Sequence, residues 1–186
     1  MTGRSARNKR NQIVTAALQL YRTRSVCDST LKDVAQAAGI PLGNLYYYFK
    51  TRDELIYAVL DGCERELLEL LASLPSEPAP AWFAAYFDWL LEDPDEAARN
   101  GCPFGTLATE LRAMGSPAAV RAVQVVQVYL DAFRERVRTF QVPTEEADEI
   151  FLTVQGAYVI ARTLNDPALF EQGVRRLRER MEVRLS

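Results

Sequence analysis

Residues 30–55 read TLKDVAQAAGIPLGNLYYYFKTRDEL, and the helix punctuation in this stretch constrains the fold more than any other part of the chain. Thr30 stands where an N-cap belongs. Asp33, three residues on, is placed for a capping box and for the first turn of a helix. The segment they open, residues 31–38, is short. Gly39 supplies the backbone freedom that ends it, and Pro41 opens another segment within two residues. Thr51, followed by Asp53 and Glu54, caps a third and longer helix.

This spacing meets the requirements of a helix-turn-helix. Ala35 is the small residue where two helices cross, Gly39 is the turn, and Val34, Ala38, Ile40, Leu45 and Tyr48 form the packing set. An ordinary helical hairpin is the alternative. The three consecutive tyrosines bear on the choice. Successive helix residues point about 100° apart, so three rings in a row cannot all face one core. With Leu45 inward, Tyr48 and Phe49 turn partly inward and Tyr46 and Tyr47 turn out. A phenol can hydrogen-bond a phosphate oxygen or lie on a sugar or thymine methyl. Residues 41–44 form the helix N-terminus, the end that enters a major groove. There Asn44 can pair with adenine and Gly43 allows close backbone approach. Lys32, Lys50 and Arg52 flank the motif as phosphate clamps. Arg4, Arg7, Lys9 and Arg10 form an arm for the DNA backbone or minor groove.

Charge is distributed to match. Residues 1–52 hold nine Lys/Arg against two Asp, a balance of +7, while residues 53–186 hold thirteen Arg against twenty-three acids, a balance of −10. A basic module on an acidic body attracts polyanions whatever the net charge of −3. A solvated basic tail is the plainer reading. The chain has no histidine, which removes Ser-His-Asp and Cys-His nucleophiles and most catalytic zinc sites. Its three cysteines, Cys27, Cys63 and Cys102, are far apart and unpaired by motif. We therefore expect no enzyme, no metal and no cofactor. No apolar run is long enough to span a membrane and no secretion signal is evident, so a cytoplasmic protein is expected.

Periodicity predicts an all-α fold of about nine helices: residues 7–21, 31–38, a short helix carrying the tyrosines, 52–74, 82–91, 103–114, 118–140, 144–164 and 168–185. The Pro-rich stretch 75–81 reads as a linker and the acidic stretch 92–101 as a break. The charge split gives the expected domains, a basic module over residues 1–52 that holds the first three of these helices and a larger body over 53–186.

The pattern STLKDVAQAAGIPLGNLYYYFKTRDEL resembles the N-terminal DNA-binding domain of the TetR family of bacterial transcriptional regulators, over residues of about 8–56. Gly39, Gly43, Leu45, Tyr46, Tyr48 and Phe49 carry the resemblance. It implies a homodimer on double-stranded, palindromic operator DNA, with a helical body that binds a small-molecule effector and dimerises. By the same resemblance Thr30, Lys32, Leu42, Asn44, Tyr46, Tyr47, Tyr48 and Arg52 occupy DNA-touching positions. Pro41–Leu42 departs from the Ser or Thr of many relatives, which leaves the helix without its usual cap.

In the body, NGCPFGTLATEL (100–111) resembles a stretch in a subgroup of the family, some members of which use an equivalent cysteine as a sensor. Cys102 thus reads either as a thiol near a helix N-terminus acting as a redox or electrophile sensor, or as a small buried hydrophobe. Cys27 and Cys63 read as packing residues. The aromatic segment WFAAYFDWLL reads as core or as one wall of an effector cavity. The candidate lining is Tyr86, Phe87, Leu90, Cys102, Phe104, Leu107, Tyr129 and Phe133, suited to a small, mostly apolar or aromatic ligand. The last two helices carry more apolar surface than one core needs. Phe151, Val154, Tyr158, Ala161, Phe170, Val174, Leu177 and Met181 are the candidate dimer interface.

Overall fold

The computed structural model describes residues 2–185, with side chains from Ala6 onward, and Arg4 of the expected arm lies outside those described side chains. Among the described residues there are ten helices and no strand: α1 (Thr2–Arg24), α2 (Leu31–Ala37), α3 (Leu42–Tyr48), α4 (Arg52–Ser73), α5 (Ala79–Leu90), α6 (Pro94–Asn100), α7 (Thr106–Ala113), α8 (Ala119–Thr139), α9 (Thr144–Leu164) and α10 (Pro167–Leu185). Among the described residues no helix is long and apolar enough to cross a membrane.

The helix beyond the expected nine is α6. Asp93 accepts the Glu96 amide at 2.7 Å, Pro94 takes the first turn, and Gly101 ends the helix at φ 73°. These are start and stop signals, and the acidic residues that made the stretch read as a break stabilise its first turn instead. The expected arm is also helical. Arg7, Lys9 and Arg10 are exposed on α1, which starts five residues earlier than its apolar periodicity suggests.

The chain divides into two compact units, Met1–Glu66 with Pro103–Val126, and Leu67–Cys102 with Gln127–Ser186. In the first, α1 buries Ile13, Val14, Ala17, Leu18 and Tyr21, the i, i+4 face of an amphipathic helix. α4 crosses it closely: a Cβ on Gly62 would lie 3.1 Å from the Val14 Cγ1 atom. The second unit packs α10 on α5, α6 and α9. Its centre is aromatic, with Trp82 stacked on Tyr86 at 5.3 Å and Tyr129 edge-on to Phe151 at 4.9 Å.

Candidate functional site

The stretch from α2 to the start of α4 is built by local hydrogen bonds. Thr30 Oγ1 accepts the Asp33 amide at 3.2 Å and Asp33 Oδ2 accepts the Thr30 amide at 2.9 Å, a complete capping box. Hydrogen bonds from Thr30 hold the Asp33 carboxyl below the usual carboxylate range, with Arg24 and Lys32 adding to the effect. At the other end the Gly39 amide donates to Gln36 and the Ile40 amide to Ala35, both at 3.0 Å, with Gly39 at φ 63°. This Schellman turn needs a residue that tolerates positive φ. α3 then starts at Pro41 without a side-chain cap. Lys50 and Thr51 open α4: the Glu54 amide donates to Thr51 Oγ1 at 3.1 Å, and the Lys50 amide to the Glu54 carboxylate at 2.7 Å.

The orientation of α3 follows from two anchors. Leu45 is 0% and Phe49 1% exposed. Between them Tyr46 is 44% and Tyr47 72% exposed. Asn44 and Gly43 are exposed on the same helix, while Leu42 and Tyr48 are half-buried. Tyr48 packs its ring edge-on to Tyr47 at 5.1 Å, and the Lys50 ammonium stands 6.0 Å from the Tyr47 ring centroid. The Arg10 guanidinium covers Phe49 at 4.9 Å. Lys32 and Lys50 are exposed.

Arg52 differs from the expectation of a phosphate clamp. Its guanidinium turns inward, donating to the Val26 carbonyl and lying against the Tyr21 hydroxyl. Burial raises the Tyr21 phenol and Arg52 partly offsets it. Thr30 likewise spends its hydroxyl on the α2 cap. Cys27 is exposed rather than packed, and Cys63 is buried.

Of the candidate cavity residues, Tyr86, Phe87, Leu90, Cys102, Tyr129 and Phe133 belong to the second unit and Phe104 and Leu107 to the first, and all are buried. The Tyr86 and Tyr129 hydroxyls share a hydrogen bond of 2.8 Å within the aromatic centre of this unit. Burial drives both phenols well above their ordinary value; the bond to Tyr129 lowers Tyr86, and the charge of Cys102 raises both. Cys102 is not at a helix N-terminus, because α7 begins at Thr106 rather than Pro103. The dipole that would activate the thiol is therefore not at hand, and Cys102, 6% exposed, packs as a small buried residue.

The expected dimer residues require correction. Phe151, Val154, Tyr158, Ala161, Phe170, Val174, Leu177 and Met181 are at most 5% exposed in the single chain, so they form its own core. They are buried because α9 and α10 pack on each other and on α5 and α6. The large apolar residues left exposed are Leu152, Val159, Ile160 and Leu164 on α9 and Val183 on α10. Periodicity finds both faces of α9 and cannot say which one the protomer uses.

A short outward-facing helix held across a Schellman turn from a boxed helix places the chain in the helix-turn-helix class of DNA-binding regulators. The family model for bacterial regulatory proteins of the tetR family matches residues 13–59, α1 to the first half of α4. The chain thus carries a TetR-family DNA-binding region over residues 13–59. It is 29% identical to an HTH-type transcriptional regulator of Lactococcus lactis subsp. lactis over 58% of this chain, and spans 57% of that relative's length. It is 26% identical to an HTH-type transcriptional regulator of Mycobacterium tuberculosis over 84% of this chain and 86% of the relative. The fold matches that of a TetR-family transcriptional regulator from Agrobacterium tumefaciens with a TM-score of 0.78, covering 94% of this chain and 97% of the other at 19% identity.

Proposed function

We propose that this chain is a cytoplasmic repressor that binds a palindromic operator as a homodimer and releases it when a small apolar or aromatic effector enters the body. The observation that carries the reading is the split along α3: Leu45 and Phe49 are locked in the core while Tyr46 and Tyr47 stand in solvent. Neither ring is buried in the core of the single chain, and both keep surface free for a partner. Beside an exposed Asn44, Lys50 and Lys32 they fit a groove floor and its phosphates.

Self-association uses the outer face of α9 in this reading. Leu152, Gly156, Val159, Ile160, Thr163 and Leu164 recur at helical spacing, and no atom lies within 4 Å of a Cβ built on Gly156, so another backbone can approach there. A twofold pair presents two α3 helices about one DNA turn apart. The effector is held by the aromatic centre of the second unit, where the Tyr86–Tyr129 pair supplies the polar anchor. By linkage, an effector that weakens operator binding binds the operator complex more weakly by the same factor.

The test is selection of duplexes from a randomised pool, followed by affinity measured against salt. Log affinity falls with log salt by roughly 0.9 per phosphate neutralised. A flat salt dependence, or no enrichment, would falsify the reading.

A further inference from the structure

α7 carries Glu110, a residue the DNA-facing surface does not account for. Glu110 Oε2 accepts the backbone amide of Val26 at 3.0 Å, across 84 residues of sequence. Val26 is 1% exposed and lies in the loop between α1 and α2. Its carbonyl is also held, by the Arg52 guanidinium from the first residue of α4. One peptide residue is therefore gripped on its N–H by α7 and on its C=O by α4. Both grips are charge-assisted, the stronger kind of hydrogen bond. The loop is stiffened from within: the Ser25 amide donates to Tyr21 at 3.1 Å, and the Ser29 hydroxyl, 2% exposed, donates to the Ser25 carbonyl at 2.7 Å. Thr30 follows at once and caps α2, which packs on α3.

A second tie joins the lead-in of α7 to α1 and α4. Arg22 donates to the Glu66 carboxylate at 2.9 Å and to the Pro103 carbonyl at 3.2 Å. The Cys63 thiol reaches the same carbonyl at 3.5 Å. All of these residues lie in one compact unit.

We infer that Glu110 is a positioning residue for operator recognition. It fixes the α1–α2 loop, and through that loop the setting of α2 and of the start of α4, the two elements on either side of α3. A shift of α7 reaches the recognition helix by this route, through Val26. The inference rests on the DNA-binding reading and names how α3 is held in register for it. A bond that sets register affects the specific complex, in which Asn44 and the tyrosines must meet particular bases. It leaves phosphate attraction to an arbitrary duplex largely alone.

The experiment compares wild type, Glu110→Leu and Glu110→Gln on a duplex selected by the wild-type protein and on one of scrambled sequence, at the same salt. Glu110→Leu removes the acceptor and is expected to weaken the selected duplex about tenfold, the size of a lost bond to a charged group, with the scrambled duplex changed less than about twofold. Glu110→Gln keeps an oxygen acceptor and is expected to recover most of the loss. Hydrogen exchange on the wild type gives an independent reading, since duplex binding is expected to slow exchange at Val26 and along α7. Equal affinity of Glu110→Leu for the selected duplex overturns the inference. So does an equal loss on both duplexes without recovery by Gln, or wild-type exchange at Val26 that ignores duplex. A wild type that selects no duplex at all overturns the DNA-binding reading beneath it, which the first binding curve reveals before any variant is made.

Discussion

The Tyr86 hydroxyl lies 2.8 Å from the Tyr129 hydroxyl, joining α5 to α8 in a shell where Trp82, Phe133 and Phe151 surround the two rings. Both residues are at most 1% exposed. Removing the Tyr129 hydroxyl deprives the buried Tyr86 hydroxyl of this bond among aromatic neighbours. Tyr129→Phe is expected to cost about 1–3 kcal/mol of unfolding free energy, the penalty of an unsatisfied buried hydroxyl. Tyr86→Phe combined with Tyr129→Phe is expected to cost less than the sum of the two single changes. Urea unfolding of the four proteins gives the coupling; strict additivity would show that the pair is not an energetic unit.

Gly62 sets how closely α4 crosses α1. A branched side chain there meets Val14 in a buried crossing, so Gly62→Val is expected to destabilise by about 1–3 kcal/mol, the usual cost of overpacking. Gly62→Ala is expected near neutral, because a gain of about 1 kcal/mol in helix propensity offsets a contact that Val14 can relieve by a small shift. Thermal melts of both variants decide it; equal stability of Gly62→Val and wild type would mean the two helices part at little cost.

The α2 capping box makes head stability depend on acid. Asp33 has a lowered pKa in the folded chain, so its contribution is present at neutral pH and is lost as pH falls through that lowered value. Asp33→Asn is expected to lower the melting temperature at pH 7, and the gap from wild type is expected to close below the ordinary carboxylate range. A gap that stayed constant down to pH 2 would assign the effect to shape rather than charge.

On α3, Asn44→Ala is expected to cost about 1–3 kcal/mol against a selected duplex and to relax the preference at one base pair. Tyr47→Ala is expected to weaken binding with little effect on stability, since the ring is 72% exposed. Lys50→Ala is expected to weaken selected and scrambled duplexes alike and to reduce the salt slope by about one. Fluorescence anisotropy across a salt series separates the three. A Tyr47→Ala protein that unfolds early would instead make the ring structural.

Self-association is expected to depend on the outward face of α9. Ile160, 49% exposed in the single chain, is a candidate centre of that face, and Ile160→Glu is expected to halve the mass seen by sedimentation while the helical signal is retained. Leu152→Arg serves as the second variant. If both stay associated, some other surface joins the subunits.

The α2–turn–α3 motif was legible in the sequence because its determinants are local. Thr30, Asp33 and Gly39 act through hydrogen bonds within four or five residues of chain, so spacing alone predicts both ends of α2 and the inward and outward sides of α3. α6 was equally local, with Asp93, Pro94 and Gly101 in place, and the acidic composition masked it. The body was less legible. Its helices are amphipathic on more than one side, and periodicity shows that a residue is apolar without showing which neighbour covers it.

What the sequence by itself determined is the all-α class, the turn at Gly39 and the exposure of Tyr46 and Tyr47, since a 100° step between residues leaves no other arrangement once Leu45 is buried. Only the tertiary structure decided that Phe151 and Val154 face the protomer's own core, that Arg52 turns inward, and that Glu110 meets Val26. Each of these depends on partners tens of residues distant, brought together by packing that no short window of sequence encodes.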